Sequence, residues 1–127
     1  MICKTCGTGR HIVNVSVHDT NGAGLAVFIK GGDRPHVGGV ALASPGVKLH
    51  GRVLSGCDLW TMTVPGHKDV ELAQKIAKKL CKATGEPVAV SLGIHMDNAT
   101  ADDINMLCDN VEAASDMFLE EYLKKNE

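Results

Sequence analysis

Three histidines occupy similar places in the sequence and could together bind a metal ion or a ligand. His36, His67 and His95 each follow a predicted β-strand, and each lies within two residues of a glycine. The carboxyl ends of parallel strands meet at one edge of a sheet. We therefore expect His67 and His95 to emerge together, and His36 to join them if its strand runs the same way. Three neutral imidazoles at one edge would bind a divalent transition metal and leave positions open for water or ligand. The histidines without such a placement are His11, His18 and His50.

A glycine-rich loop, Lys30–Gly39, surrounds the first of these histidines and contains four glycines and a proline in ten residues. The successive glycines Gly31 and Gly32 allow backbone N–H groups to turn toward one anion, and the guanidinium of Arg34 can bind a phosphate through two hydrogen bonds. The loop matches neither the Walker pattern nor the G-x-G-x-x-G pattern. It predicts a site for a phosphorylated ligand, with a flexible connection and a solvated arginine as the alternative.

The cysteines predict a reduced protein. Cys3 and Cys6 form half of a zinc or redox motif, but no second C-x-x-C and no nearby histidine pair completes it. We expect a frayed N-terminus over residues 1–10 with two free thiols, a metal site shared across a dimer being the alternative. The total of five cysteines is odd, which argues against a disulfide framework. Three cysteines fall on predicted strand or helix stripes and are expected in the core: Cys57, Cys81 and Cys108.

Length and composition exclude several classes of protein. The chain has 127 residues, of which 44% are hydrophobic, so we predict a single domain over residues 1–127. A net charge of −2 gives no electrostatic footprint for nucleic acid. No apolar run approaches the ~20 residues needed to span a membrane, and the N-terminus lacks a signal peptide, so we expect a cytoplasmic location. Ordinary hydrolase chemistry has little support, because no serine lies in a G-x-S-x-G turn.

The elements that must position the histidines follow from hydrophobic periodicity. Alternating or continuous apolar runs predict strands at 12–17, 25–29, 40–43, 57–64 and 88–94. Residues 47–56 are ambiguous and compatible with an irregular hairpin. The spacing predicts a helix over 70–84, and Asp69 is placed to cap it. A last helix begins after Thr100 and runs to the C-terminus, a break near residues 112–115 being left open.

This order of elements predicts the architecture. The strand–helix–strand segment 57–94 is a crossover unit, so its two strands should run in parallel, whereas hairpins make the first half antiparallel. We predict an α/β (α+β) two-layer sandwich in which both helices cover one face of a mixed, mainly antiparallel sheet.

Three spaced motifs resemble those of a known family. They are, in this order, Gly31-Gly32-x-x-Pro35-His36-Val37-Gly38, Gly66-His67-Lys68-Asp69 and Gly93-Ile94-His95. Together, over roughly residues 12–123, they resemble the prenylated-flavin chaperones typified by the small D subunit of gallate decarboxylase. The resemblance implies a non-catalytic protein that binds prenylated FMN, made by a flavin prenyltransferase, and serves the maturation of UbiD-type aromatic acid decarboxylases. It also implies a homodimer and a fold similar to proteasome-assembly chaperones.

The resemblance places His36, His67 and His95 at the ligand or metal site, with the Gly31-Gly32 loop beside it. We infer a divalent metal ion at these three histidines from the imidazoles and from the need to neutralise a phosphate. The predicted binding residues for prenylated FMN, or FMN, are Gly31, Gly32, Arg34, His36, Gly38, His67, Lys68 and His95. Aromatic residues are scarce, so an apolar slot for the flavin ring would have to come from Val37, Val40 and Trp60, partly at a dimer interface.

Two alternative functions use different parts of the chain. A small metal-dependent lyase or hydrolase would use the same three histidines around an open metal position. A protein-assembly chaperone would act through its surfaces alone.

Overall fold

A computed structural model describes residues 1–46, 48–50, 52–53, 56–67 and 69–126. Its strands are β1 (Ile2–Cys6), β2 (Val13–Asp19), β3 (Leu25–Gly32), β4 (Gly39–Pro45), β5 (Lys48–Leu49), β6 (Arg52–Val53), β7 (Cys57–Thr63) and β8 (Val88–His95). Its α-helices are α1 (Val70–Thr84) and α2 (Ala101–Lys125), and a short 3-10 helix covers Gly9–His11.

Six strands form one open sheet in the order β1-β2-β3-β8-β4-β7. Only β3 and β8 pair in parallel; the other four pairings are antiparallel. The predicted mixed, mainly antiparallel sheet is therefore confirmed. Strands β7 and β8 run in the same direction, as predicted for the crossover unit, but β4 lies between them and pairs with both. The small strands β5 and β6 pair with each other outside this sheet.

Both helices cover one face of the sheet, which confirms the predicted two-layer arrangement. Helix α1 packs on β4, β7 and β8, whereas α2 packs on β1, β2 and β3. Alternate strand residues point into this layer and are fully buried; they include Val13, Val15, Ile29, Ala41, Val90 and Leu92. The opposite face of the sheet carries no helix among the described elements, and we call it the open face.

The helix ends follow their sequence signals. Helix α1 ends at Gly85, whose φ of 72° is left-handed. Helix α2 begins with a capping box: the Thr100 side chain accepts from the Asp103 amide, and the Asp103 carboxylate accepts from the Thr100 amide. The helix is continuous over 25 residues. The break considered at residues 112–115 does not occur, and Ala114 and Ser115 within this stretch are buried.

The N-terminal residues, expected to be frayed, form the edge strand β1. Ile2 pairs with Val17, and Lys4 points toward the helix layer, where it makes a 2.8 Å ion pair with Glu121. Neighbouring side chains of a strand alternate between its two faces. Cys3 and Cys6 therefore point to opposite faces, and the C-x-x-C pair cannot converge on one metal ion within a chain. All five cysteines are free thiols, as predicted.

Other differences from the predicted elements are small. Strand β3 runs to Gly32, three residues past its predicted end. In the ambiguous segment, Lys48–Leu49 pairs with Arg52–Val53, and residues 47, 51, 54 and 55 lie outside the described part of the chain. No described helix is long and apolar enough to cross a membrane.

Candidate functional site

The strands that precede the three histidines all end at one edge of the sheet. The register of the parallel pair sets Gly32, at the end of β3, opposite His95, at the end of β8. Strand β4 begins at the same edge, where Gly39 pairs with Leu92 of β8 and with Thr63 of β7. Since β8 lies between β3 and β4, the loop 33–38 that joins those two strands must cross over the end of β8. This crossing brings His36 toward the loop that carries His67.

His36 and His67 lie together with a carboxylate. Their ring centroids are 4.5 Å apart. The Oδ2 atom of Asp69 lies 3.0 Å from Nε2 of His36 and 3.7 Å from Nδ1 of His67. The candidate ligand atoms of these three residues all lie within 4.8 Å of one another. We refer to these three residues as the His36 cluster.

Asp69 is the member of this cluster that the sequence did not assign to the site. It lies at the N-cap position of α1, but its φ and ψ are helical and its side chain makes no capping hydrogen bond. The carboxylate is 13% exposed and faces His36 instead. The expected capping role of the side chain is therefore replaced by a contact within the site. Its place in the Gly66-His67-Lys68-Asp69 motif was the signal that could have identified it.

His36 is held in a fixed orientation by its own loop. Its Nδ1 lies 2.9 Å from the carbonyl oxygen of Arg34 and donates to it. Its Nε2 is thereby directed at Asp69. The Arg34 carbonyl and, after it, the Asp69 carboxylate raise the pKa of His36 above its ordinary value, against the opposing effect of burial. A backbone carbonyl on one imidazole nitrogen is also the usual way in which a metal-binding histidine is oriented.

Glycines make this close approach possible. A β-carbon at Gly38 would overlap Oδ2 of Asp69 and lie 2.9 Å from Nε2 of His36. A β-carbon at Gly93 would overlap the carbonyl group of His36. At Gly39, a β-carbon would lie 2.7 Å from the backbone nitrogen of Val70. The second half of the glycine-rich loop and the glycine of the Gly93-Ile94-His95 motif therefore provide room for the His36 cluster.

The amides of Gly32, Asp33 and Arg34 are not free to bind an anion. The Gly32 amide donates to the carbonyl of Ile12 at 3.1 Å, and the next two amides both donate to the carbonyl of His95, at 2.7 and 3.2 Å. Gly32 has a φ of 76°, a left-handed conformation that favours glycine. These amides are already used within the protein, so they do not form the anion cradle that the glycine pair suggested.

His95 belongs to a second group of charges beside the His36 cluster. Its Nε2 lies 3.0 Å from Oδ1 of Asp97, which also pairs with Arg34. Arg10 binds Asp33 at 2.8 Å and the Asp97 carbonyl at 2.6 Å. His95, followed by Arg34, lowers the pKa of Asp97, and Arg10 lowers the pKa of Asp33. This network fixes the loop 33–38 to the residues that follow β8.

The structure thus places the predicted site residues in two neighbouring groups. Among the described residues, His36, His67 and Asp69 form the metal-compatible group, and His95 does not join it. Arg34 and His95 share Asp97 instead. Lys68 lies outside the described residues.

The residues expected to supply an apolar slot are also separated from these groups. Val40 and Trp60 lie on the open face of the sheet, as their pairing with Met62 and Leu42 shows. Val37, in the loop 33–38, is exposed.

Comparison with known proteins identifies the family. No curated protein matches the chain. The family model for the prenylated flavin chaperone LpdD-like domain matches residues 7–123 and so confirms the resemblance carried by the three motifs. The alternative of a metal-dependent lyase or hydrolase is not supported, since it required three histidines around one metal ion. The chain belongs to the prenylated flavin chaperone LpdD-like family.

Proposed function

We propose that this protein binds prenylated FMN, or FMN, without catalysing a reaction and delivers it to a UbiD-type aromatic acid decarboxylase during maturation of that enzyme. The observation that carries this proposal is the family match over residues 7–123, a range that includes every residue of the His36 cluster. The cargo would come from a flavin prenyltransferase, so the protein would have two protein partners. The proposal includes a cytoplasmic location, where the protein would meet both enzymes.

The charges at the carboxyl edge of the sheet fit a phosphorylated ligand. The guanidinium groups of Arg10 and Arg34 are exposed there, although each also pairs with an aspartate. A phosphate at this edge would meet several donors without entering the apolar core.

The His36 cluster also fits a divalent transition metal ion. Two imidazoles and one carboxylate are a frequent set of three protein ligands, and they leave positions open for a ligand. Ligand atoms that lie about 2.1 Å from one ion are roughly 3.0–3.5 Å apart. The separations of 3.0 and 3.7 Å from Asp69 to the two histidines are close to this range. A bound ion would supply positive charge for the cofactor phosphate.

A partly exposed site suits a protein that must release its cargo. Side chains of the His36 cluster are accessible to different degrees: 13% for Asp69, 23% for His36 and 37% for His67. A ligand at such a site keeps part of its surface in water, so release costs less than from an enclosed cavity.

The open face of the sheet supports the proposed homodimer. It carries exposed large apolar side chains on β3, β4 and β7, with β8 between β3 and β4; they are Phe28, Val40, Leu42, Trp60 and Met62. Trp60 and Met62 are 57% and 77% exposed. Contiguous apolar surface of this kind marks an interaction site more often than a solvated face.

The experiment uses prenylated FMN made anaerobically by a flavin prenyltransferase. Its absorbance spectrum is followed while wild-type protein is added, and the mixture is then separated by gel filtration. We expect a saturable spectral change and flavin in the protein fraction. His67→Ala should weaken binding, whereas His18→Ala, on the open face, should not. Absence of binding by the wild type, or equal binding by both variants, contradicts the proposal.

The delivery step has its own test. An apo-form UbiD-type decarboxylase is mixed with prenylated FMN with and without this protein, and decarboxylation is followed over time. We expect the protein to raise the yield or the rate of active enzyme. Equal activation of the decarboxylase in both mixtures would show that the protein does not deliver the cofactor, even if it binds flavin.

A further inference from the structure

An open apolar slot of about 290 Å³ lies between α1 and α2, beside the His36 cluster. Its walls are aliphatic: Leu72 comes from the first turn of α1, Leu92 and Ile94 from the end of β8, and Ile104 and Leu107 from α2. Ile104 is 51% exposed. An aliphatic side chain left this open beside other apolar surface favours a ligand that covers it.

The topology of the sheet explains why a crevice occurs at this place. Strand β8 has a parallel neighbour on one side, β3, and an antiparallel neighbour on the other, β4. Helix α1 leads into β8 and covers the β4 side, and α2 follows β8 and covers the β3 side. The two helices therefore separate above the carboxyl end of β8. The crevice lies outside the carboxyl end of β8, at the edge where its parallel neighbour β3 also ends.

The polar groups of the slot lie toward the two charged groups already described. Asp69, a member of the His36 cluster, lines the slot, and so does His95 of the neighbouring network. Cys108 of α2 contributes a thiol. The slot therefore has an apolar interior that continues into the charged edge of the sheet. This arrangement suits a molecule with a flat apolar body and an anionic arm.

We propose that this slot receives the ring system of the flavin, so that its phosphate-bearing arm reaches the edge that carries His36 and Arg34. This inference rests on the proposed function. The volume of about 290 Å³ is just below the range for small-molecule pockets, about 300–1,000 Å³, so the slot is too small for a whole flavin nucleotide and leaves the arm outside. The extra isoprenoid-derived ring of the prenylated flavin adds apolar surface that the leucine and isoleucine walls can cover.

Cys108 reports directly on occupancy of the slot. The protein is treated with N-ethylmaleimide with and without prenylated FMN at about ten times its dissociation constant, and labelled peptides are quantified by mass spectrometry. At this concentration of prenylated FMN, only about one tenth of the protein is without flavin, so labelling of Cys108 should slow about tenfold. Cys3 is exposed on the open face and should be labelled at the same rate in both samples.

The outcomes separate the slot from the proposed function. Unchanged labelling of Cys108, in a sample whose absorbance shows bound flavin, overturns the slot while the proposed function stands. A wild-type protein that takes up no prenylated FMN overturns the proposed function and the slot with it. Protection by prenylated FMN but not by FMN would assign the slot to the prenyl-derived ring and support the inference.

Variants that fill the slot give a second test. Ala99→Leu and Cys108→Leu each add bulk to its lining, and Ala89→Leu makes the same change as Ala99→Leu on the open face. The two slot variants should weaken flavin binding about tenfold or more, and the Ala89 variant should not. Circular dichroism and binding of Zn²⁺ alone verify that the variants fold and keep the His36 cluster. Folded slot variants that bind flavin like the wild type overturn the inference.

Discussion

Gly93 lies directly beneath the backbone of His36, so that a β-carbon at residue 93 would overlap the His36 carbonyl group. The two residues are far apart in the sequence and meet because the loop 33–38 crosses the end of β8. The Gly38 amide continues this contact by donating to the carbonyl of Leu92 at 3.0 Å. The histidine motif around residue 36 and the glycine of the last motif are therefore two halves of one packing contact.

Substitution Gly93→Ala should destabilise the protein and disturb the His36 cluster. The added methyl group forces the loop away from β8, and overpacking of this kind costs about 1–3 kcal/mol. Urea unfolding followed by circular dichroism measures the loss. Ser91→Thr, which adds one carbon to the open-face side of the same strand, is the control and should change the free energy of unfolding by less than about 0.5 kcal/mol. A Gly93→Ala protein as stable as this control would contradict the contact.

Metal binding should depend on Asp69 and not on His95. His67→Ala and Asp69→Ala each remove a ligand, so each should lower the affinity for Zn²⁺ or Mn²⁺ by at least about a hundredfold. His95→Ala changes only the neighbouring Asp97 network and should retain most of the affinity. Isothermal titration calorimetry on all three variants distinguishes this cluster from the three-histidine site expected from the sequence. Equal losses of metal affinity in His95→Ala and Asp69→Ala would favour the three-histidine site.

Sequence patterns predicted that the strands before His67 and His95 end at one edge of the sheet, and placed His36 there on the condition that its strand runs the same way. Buried strands such as β8 are marked by continuous apolar residues, and the residue after such a run is at a sheet edge whatever the strand order. Strand order is not a local property. Nothing in the pattern of residues 40–43 shows that β4 inserts between β7 and β8, and this insertion is what brings the loop of His36 across Gly93.

Two further features could not be predicted from the sequence, because in each a side chain departs from its usual role. Asp69 precedes a helix and resembles a cap, but a helical backbone at that residue turns its carboxylate toward His36. In strand β1, Lys4 occupies an inward position, so the strand lacks a regular alternation of apolar residues. The charge is accommodated there because Lys4 pairs with Glu121 of α2. Both depend on partners distant in sequence, which periodicity does not reveal.

Tyr122→Phe should destabilise the protein through a buried carboxylate. The Tyr122 hydroxyl donates to Glu86 at 2.6 Å, and Glu86 also accepts from the Gly24 amide at 3.1 Å. Loss of the hydroxyl leaves one Glu86 oxygen without its partner, at a cost of about 1–3 kcal/mol. Urea unfolding at neutral pH measures this loss. A variant with wild-type stability would contradict the importance of this link between α2 and the end of α1.

The same tyrosine should make stability depend on alkaline pH. Burial, and then the hydrogen bond to Glu86, raises the pKa of Tyr122 to about 12. The unfolded chain releases this proton near pH 10, so the contribution to stability is complete below that pH and is lost as the pH rises toward 12. The urea midpoint of unfolding should fall between about pH 9 and pH 11, and this fall should be larger in the wild type than in Tyr122→Phe. Identical differences in both proteins would contradict this assignment.

Asp103 should contribute to the acid sensitivity of the protein. Hydrogen bonds from the Thr100 amide, from His11 and from the Thr100 hydroxyl lower the pKa of Asp103 to about 2. Its contribution to stability is therefore present above the unfolded pKa near 4 and is lost as the pH falls toward 2. Asp103→Asn should be less stable than the wild type at about pH 6, and the gap should narrow at about pH 2.5. A gap that is constant over this range would contradict the prediction.

Substitution of Trp60 and Met62 by glutamate should abolish the proposed homodimer. Paired residues of β4 and β7 place both side chains on the open face, next to Leu42 and Val40. Two charges on this surface would be desolvated without partners in a dimer, whereas in a monomer they stay in water. Sedimentation velocity measures the oligomeric state, and the double variant should sediment as a monomer. Met106→Glu, on the exposed side of α2, is the control and should leave the dimer intact. A dimer that survives in the double variant, or is lost in the Met106 variant, would place the interface elsewhere.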